Sequence, residues 1–567
     1  MLNNDIENFK YLDNLIHSGV KEIVLDSDIV LGSDEESQYL NGIKLDVDDL
    51  AIDGNGHAID ALGLTRIFYC TGKNITIKNI ILKNGYAKQD GGAIHNFNGG
   101  LTITGSTLTG NAANHGGAIR NDRGELTITG STLAENTARW DGGAIESSWG
   151  ELTVTESALN NNTAKKDGGA LYNYEGELTI IESALTENTA NHDGGAIYSK
   201  NKIHMKNCTL IDNLQSSFSF VENNDKYDIG WNDDVILSDD VTIYLDNKCE
   251  GEYHNSDNLI EWNKTLSNGT HEIILELNDD NRIIMNFTYS SDIMAADVNS
   301  YVELINSVNK AKHVIAPQYI INLNKGDYNA TGTIFWKAFS NLNLIINGNG
   351  ITLNGQSAWQ FIRIGTDARL TLDNIALTNY TEDKGGAIYN MGELTITGSA
   401  LTGNTAKDDG GAIYNGSDGE LTITGSVLTG NTAVWGGAIR NVGELTIIES
   451  TLTQNTAEWN GGAIDNSWGE LTVTESAINN NAAINGGGAI YNYKDELTIT
   501  ESVLTGNMAW GGGAIYNGSD GVLTVTESAL NENAADYGGA IFLKESRKYE
   551  SINCTFNDNN PDEVYMS

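Results

Sequence analysis

Apolar and polar residues alternate along most of this chain, but only over three to five positions before a cluster of Gly, Asn, Asp or Ser interrupts. Residues 125–150, ELTITGSTLAENTARWDGGAIESSWG, show the unit. Leu126 and Ile128 alternate with Glu125, Thr127 and Thr129, which is the period of a strand with one face turned inward. Ser131 with Leu133 predicts a second short strand, and Gly143 with Ile145 a third, the bends between them carrying turn residues. Nothing in the unit has helical period. Three such strands cannot bury an apolar face alone. Stacked on copies of themselves they can, each strand pairing in parallel with its equivalent ~4.8 Å away. The pattern predicts an all-β chain, a parallel β-helix. The repeat is too short for propeller blades and lacks the leucine frame of leucine-rich repeats.

Three markers run in phase through the chain. G-G-A-[I/L] begins at Gly91, Gly116, Gly142, Gly168 and Gly194, then at Gly385, Gly410, Gly436, Gly461, Gly487, Gly512 and Gly538, in steps of 25 or 26. An Asn lies three residues after an apolar position at Asn84, Asn111, Asn136, Asn162, Asn188 and Asn213. It returns at Asn379, Asn404, Asn431, Asn455, Asn481, Asn507, Asn533 and Asn559. L-T-[I/V] is the third marker. The Asn residues are expected to stack their amides as a structural ladder at a bend, and the Gly pairs to permit positive φ and close backbone approach. On strand alternation, the Ala after each Gly pair is expected to face outward.

A larger duplication overlies the repeats. Ile52-Asp-Gly-Asn-Gly56 returns as Ile346-Asn-Gly-Asn-Gly350, 294 residues on (346 − 52). An amphipathic helix is predicted before each array, over about 5–18 (Ile6, Phe9, Leu12, Ile16) and about 300–311 (Tyr301, Leu304, Ile305, Val308), where it would cover an open coil edge. Between the arrays the markers vanish. The expected organisation is a first β-helix module over 1–224, a small separate sandwich-like (Ig-like) β spacer over 225–295, and a second module over 296–567. Copies also slide: SSWGELTVTESALNNNTA (147–164) matches NSWGELTVTESAINNNAA (466–483) at an offset of 319 (466 − 147). Whole coils were gained or lost, which a surface valued for its length tolerates better than a catalytic site on particular coils.

Charge narrows the partners. With 76 acidic against 33 basic residues and a formal net charge of −43, nucleic acid and anionic membrane surfaces are excluded as partners. No apolar run is long enough to span a bilayer. The start, MLNNDIENFK, has neither a basic n-region nor an apolar h-region, so the chain is expected to be a piece of a longer array that carries its export and anchoring signals elsewhere. The four Cys (70, 208, 249, 554) form no C-x-x-C pair, and Cys208 and Cys554 read as small buried replacements for Ser. The nine His show no metal-ligand spacing.

The outward stripes are the candidate chemistry. The residue after each G-G-A-[I/L] is His95, Arg120, Glu146, Tyr172, Tyr198, then Tyr389, Tyr414, Arg440, Asp465, Tyr491, Tyr516 and Phe542. Turn aromatics add Trp140, Trp149, Trp435, Trp459, Trp468 and Trp510. Flat rings suit the apolar faces of sugars and are enriched at interfaces. Of these, Tyr172, Tyr198, Tyr389, Tyr414, Tyr491, Tyr516, Trp140, Trp435, Trp459 and Trp510 are the candidate ligand contacts. Thr-x-Thr ranks (Thr127/Thr129, Thr472/Thr474) resemble the face of β-helical ice-binding proteins, though Thr is also an ordinary exposed strand residue. Glu125, Glu151 and Glu177, and Glu393, Glu420, Glu444, Glu470 and Glu496, align coil on coil; like charges ~4.8 Å apart repel by roughly 1 kcal/mol in water, so weak divalent-cation binding is expected along them. Asp408-Asp409 is the one acidic pair before a Gly pair, and no catalytic residue, cofactor or resident metal is assigned.

G-G-A-[I/L/V] alternating with F-x-x-N is the signature of polymorphic outer-membrane-protein repeats, and the units here resemble that family and the adhesin-like surface proteins of methanogenic archaea. The Gly-pair half matches throughout; the other half mostly reads L-x-x-N, as in Leu133-Ala-Glu-Asn136, with Phe kept at Phe556-Asn-Asp-Asn559. The resemblance covers roughly 45–224 and 343–560. It implies a right-handed single-stranded parallel β-helix of the pectate-lyase-like kind, exposed at a cell surface, and a non-enzymatic, adhesin-like role toward glycans or proteins of another cell or matrix. The alternative is a polysaccharide lyase or glycoside hydrolase, since parallel β-helices carry both; such an enzyme needs converging carboxylates on a few coils.

Overall fold

The computed structural model describes residues 8–32, 35–190, 193–201, 203–213, 219–223, 226–230, 240–254, 259–262, 266–276, 281–338, 340–545, 548–561 and 563–567. The chain is a mostly β parallel solenoid with two short helices, in two compact units, Met1–Thr288 and Tyr289–Ser567.

The register is residue on residue. Leu126 pairs with Leu101 on one side and Leu152 on the other, and Ile128 with Ile103 and Val154. Each coil therefore sets its apolar side chains directly over the same side chains of the next coil, where they are fully buried or nearly so. One coil uses four strands rather than three: Glu125–Thr129, Thr132–Ala134, Thr137–Ala138 and Ile145–Ser148. The unpredicted two-residue strand carries only Ala138 inward, too little apolar signal to read from sequence. In the first unit, eight strands of the L-T-[I/V] set and seven of the G-G-A-[I/L] set form separate sheets. In the second these sets join into one 19-stranded sheet, because Ile490–Thr500 and Ile515–Thr526 run on through the bend between them.

The Ala after each Gly pair faces inward, correcting the expectation. Ala118, Ala144, Ala438 and Ala463 have no exposure. The strand begins only at the following Ile; the Ala sits on the corner itself, and the Ala144 carbonyl accepts from both Ala118 N and Ile119 N at 2.9 Å. Corner geometry, not strand alternation, sets its direction. The Gly pair has two different reasons. The first glycine takes φ near +60°, as at Gly116 and Gly142. The second lies against the next coil, where a Cβ on Gly117 would overlap the Gly143 carbonyl oxygen.

Both predicted helices are present, as Phe9–Ile16 and Tyr301–Ala311. Residues 1–7, including Ile6, lie outside the described residues. Phe9, Leu12 and Ile16 are buried, and Asn8 caps the helix by accepting from Tyr11 N at 3.0 Å. Ser300 caps the second, accepting from Glu303 N at 3.2 Å.

The spacer strands do not stand wholly apart from the first array. Asp240–Leu245 pairs antiparallel with Lys248–His254 and with Gly269–Glu276. Arg282–Tyr289 pairs in parallel with Thr209–Ile211 and so prolongs a solenoid sheet past its last coil. An open coil edge presents unpaired N–H and C=O groups, and a spacer strand takes them up. The two compact units meet in the sequence at 288/289.

Candidate binding surface

Three ranks of polar side chains run through the coils, and only one was read from sequence. Asn455 is typical of it. Its Nδ2 donates to Leu428 O and Asn481 Oδ1, each at 3.0 Å, while its Oδ1 accepts from Asn431 N and Nδ2, each at 3.0 Å. All four capacities of the amide are met inside the protein. The rank runs Asn111, Asn136, Asn162, Asn188, Asn213 and Asn404, Asn431, Asn455, Asn481, Asn507, Asn533, Asn559. Asn84 and Asn379 are not in it. They sit one position earlier, exposed and at φ +52° and +55°, while Gly85 N and Tyr380 N donate to the first ladder amides. Counting from an apolar residue misses by one where the turn residue is itself Asn.

The second rank is Ser106, Ser131, Ser157 and Ser183; Ser106 Oγ accepts from Ile80 N at 3.3 Å, and each later Oγ accepts from the backbone N of the Ser one coil before it, as Ser131 Oγ does from Ser106 N at 3.1 Å. Cys208 takes the next place, and burial raises its thiol pKa. The third is the Asn two residues after the Gly-Gly-Ala isoleucine: Asn390, Asn415, Asn441, Asn466, Asn492 and Asn517, joined amide to amide at 2.7–2.8 Å. G-G-A-I-x-N was there to be read.

The outward rank is ordered along the same register. Tyr172 stacks on Tyr198 with ring centroids 5.0 Å apart, Tyr389 on Tyr414 at 5.0 Å, Tyr491 on Tyr516 at 4.9 Å, and Tyr516 on Phe542 at 4.8 Å. The rings lie face to face like coins, so each covers its neighbour and turns an edge outward. Burial raises the pKa of Tyr172 and Tyr491. Exposed indoles are offered instead at the turns by Trp140, Trp149, Trp468 and Trp510 and, against the expectation of a turn, from the strand Thr456–Asn460 by Trp459, all 45–54% exposed; Trp435, also in a strand, Thr432–Trp435, is half-buried.

Between the aromatic ranks lies a charged step in both units. Arg120 ion-pairs with Glu146 and lies 3.7 Å from Asp90. Arg440 pairs with Asp465 at 2.6 Å and lies 3.7 Å from Asp409. Glu146 and Asp465 are buried. Desolvation pushes the Asp465 carboxyl up to about 6, against the pull of Arg440 and a hydrogen bond from Ser467. Asp409, read from sequence as half of an acidic turn pair, is thus an ion-pair partner.

His115, Asp141 and Glu146 bring ligand atoms within 4.8 Å of one another, a grouping invisible to sequence spacing because each residue lies on a different strand or turn. Arg120 already neutralises Glu146, and Lys166 lies 3.8 Å from Asp141. The Glu rank pairs in register as Glu125 with Glu151 and as Glu393, Glu420, Glu444 and Glu470, all exposed; Arg369 meets Glu393 at 3.1 Å. Glu177 and Glu496 stand exposed just before the paired Leu178 and Leu497. The Thr-x-Thr ranks are likewise in register, Thr127 on Thr153 and Thr472 on Thr498.

These features define a parallel β-solenoid whose buried amide ranks are repeated and whose outward rank is varied. It carries Chlamydia polymorphic membrane protein (Chlamydia_PMP) repeats: residues 156–174, 182–200 and 398–416 match that family. Each matched segment runs from the Ser-ladder turn through the ladder Asn and past the Gly pair. The likeness to archaeal surface proteins finds no support in these comparisons. No curated protein matches the chain. Among solved structures, the SRRP of L. reuteri 53608 aligns over 97% of this chain and 98% of its own, at 11% identity and a TM-score of 0.14, a score too low to argue from. The repeat family is named for membrane proteins; among the described residues no helix is long and apolar enough to cross a membrane.

Proposed function

We propose that this chain is a non-enzymatic, adhesin-like surface protein, two right-handed β-helix modules displaying an extracellular surface for attachment to glycans or proteins of another cell or matrix. One observation carries the reading: indoles about half exposed, mounted on coils that a buried ladder of Asn amides ties one to the next. Exposed Trp on a rigid frame is what interface anchors require. The hydrolase alternative would use Asp465 as its acid, since its carboxyl is raised to about 6. Asp465 is buried and paired with Arg440, which favours the non-enzymatic reading. A glycan array and whole-cell binding assay on the chain, run beside assays for reducing ends and unsaturated products, test the proposal. Binding without turnover is the expected result; release of sugar from any polysaccharide overturns it.

A further inference from the structure

The two units share more than their repeat. At an offset of 319 (465 − 146) Trp140, Glu146, Trp149 and Tyr174 recur as Trp459, Asp465, Trp468 and Tyr493, and Arg120 recurs as Arg440 at 320 (440 − 120). Trp140 and Trp149 flank the strand Ile145–Ser148; Trp459 and Trp468 flank the strand Ile464–Asn466. On the following coil Tyr174 meets Trp149 edge-on at 5.3 Å and 79°, and Tyr493 meets Trp468 at 6.1 Å and 78°. A guanidinium lies against the indole in both units, from Arg123 at 5.2 Å in the first and from Arg440 at 5.9 Å in the second. Beside each stands the Arg–acid pair, Arg120–Glu146 or Arg440–Asp465. Packing does not ask for these residues. Trp149 sits at φ +55°, a left-handed turn position held by Asn98, Arg123 and Glu175 on neighbouring coils, where a bulky side chain is disfavoured.

We propose that each unit carries the same carbohydrate-binding site on this coil, and that it takes an uncharged glycan. The proposal rests on the reading of the chain as an attachment protein and names its ligand class. Two exposed indoles and a tyrosine give apolar platforms for the C–H faces of successive sugars, and the Arg–carboxylate pair beside them gives fixed donors and acceptors for hydroxyls. An acidic glycan is disfavoured because the guanidiniums of the Arg–acid pairs, Arg120 and Arg440, are each held by two carboxylates and the chain bears a net charge of −43. A cationic ligand is disfavoured because cations already lie at the rings, Lys200 3.9 Å from the Tyr174 centroid and Lys494 5.6 Å from that of Tyr493.

The test is calorimetry and tryptophan fluorescence on the whole chain, with neutral hexasaccharides of glucose, mannose and galactose beside polygalacturonate and heparin fragments. Binding of a neutral oligosaccharide with two equivalents per chain is expected. Trp149→Ala with Tyr174→Ala reduces this to one, as does Trp468→Ala with Tyr493→Ala, and the combined variant binds none. Trp359→Ala, at an exposed indole on a different coil that belongs to neither site, leaves both sites intact. Because Trp149→Phe keeps a ring at the turn, it should retain weakened binding and separates loss of site from loss of fold. The proposal falls if the combined variant binds like the parent, if only acidic saccharides bind, or if the aromatic residues instead mediate self-association in sedimentation. Cell or glycan binding that survives in the combined variant overturns this site and leaves the attachment reading standing. Absence of all binding overturns both.

Discussion

Two ranks on the same coils behave oppositely. Asn111, Asn136, Asn162 and Asn188 are buried, chemically identical and fully hydrogen-bonded. The outward rank of those coils runs Arg120, Glu146, Tyr172 and Tyr198 in the same register. The register fixes where both ranks lie, but only the buried one is fixed in chemistry, because a lone substitution there strands partners on the coils either side. Repetition therefore marks what the fold requires. Departure from repetition, where it recurs in both units, marks what the fold does not require.

The largest effect should come from breaking the buried rank. Asn455→Ala strands the buried Asn431 N, removes the amide donor to Leu428 O, and takes one of two hydrogen bonds from each of Asn431 Nδ2 and Asn481 Oδ1, and is expected to cost about 3–5 kcal/mol in denaturant unfolding. Asn559→Ala, at the half-exposed end of the rank, should cost clearly less. Equal losses at both sites would mean the ladder is not cooperative. Gly437→Ala comes next, since its Cβ would overlap the Gly462 carbonyl oxygen of the following coil; about 3 kcal/mol is expected, with protection from hydrogen exchange lost on both coils.

The outward rank gives a smaller effect that depends on pH. The Asp465 carboxyl is raised by burial to about 6, while an unfolded Asp titrates near ~3.9. Between those values the folded chain holds a proton that the unfolded chain lacks, so stability falls as pH rises through the window and is regained on acidification. About 2 kcal/mol should separate pH 7 from pH 4.5 in the parent, and Asp465→Asn should flatten that slope. A parent slope of opposite sign would contradict the burial argument. Smallest is the exposed Glu rank: added NaCl or Ca²⁺ should raise Tm by about 1–2 °C, and Glu444→Gln, in the middle of the paired run, should remove part of that gain. A Tm unchanged across the titration would show that these carboxylates splay far enough to ignore one another.

Much of this was legible in the sequence. The phased Gly pairs, the ladder Asn and the L-T-[I/V] strands specify a parallel stack, because only a stack lets such short strands bury a face. The two helices are legible from their apolar spacing, and Cys208 from its place in the Ser series. The turn Trp residues are visible as departures from the repeat. Corners were not legible. The inward Ala, the two-residue fourth strand and the true positions of Asn84 and Asn379 all depend on where the chain bends, and a bend shifts alternation by one without leaving a periodic trace. Nor could the sequence show that the stripe Tyr rings cover one another's faces, or that Asp409 and Asp90 reach across coils to Arg440 and Arg120.

The sequence by itself determined the repeat, the parallel register and the polar ranks, since each follows from residues that must meet their own equivalents one coil away. Only the tertiary structure decided which outward groups are shielded and which are offered. That depends on contacts between residues some 25 or more positions apart, brought together by the coil, where a ring is buried or free according to what stands above and below it.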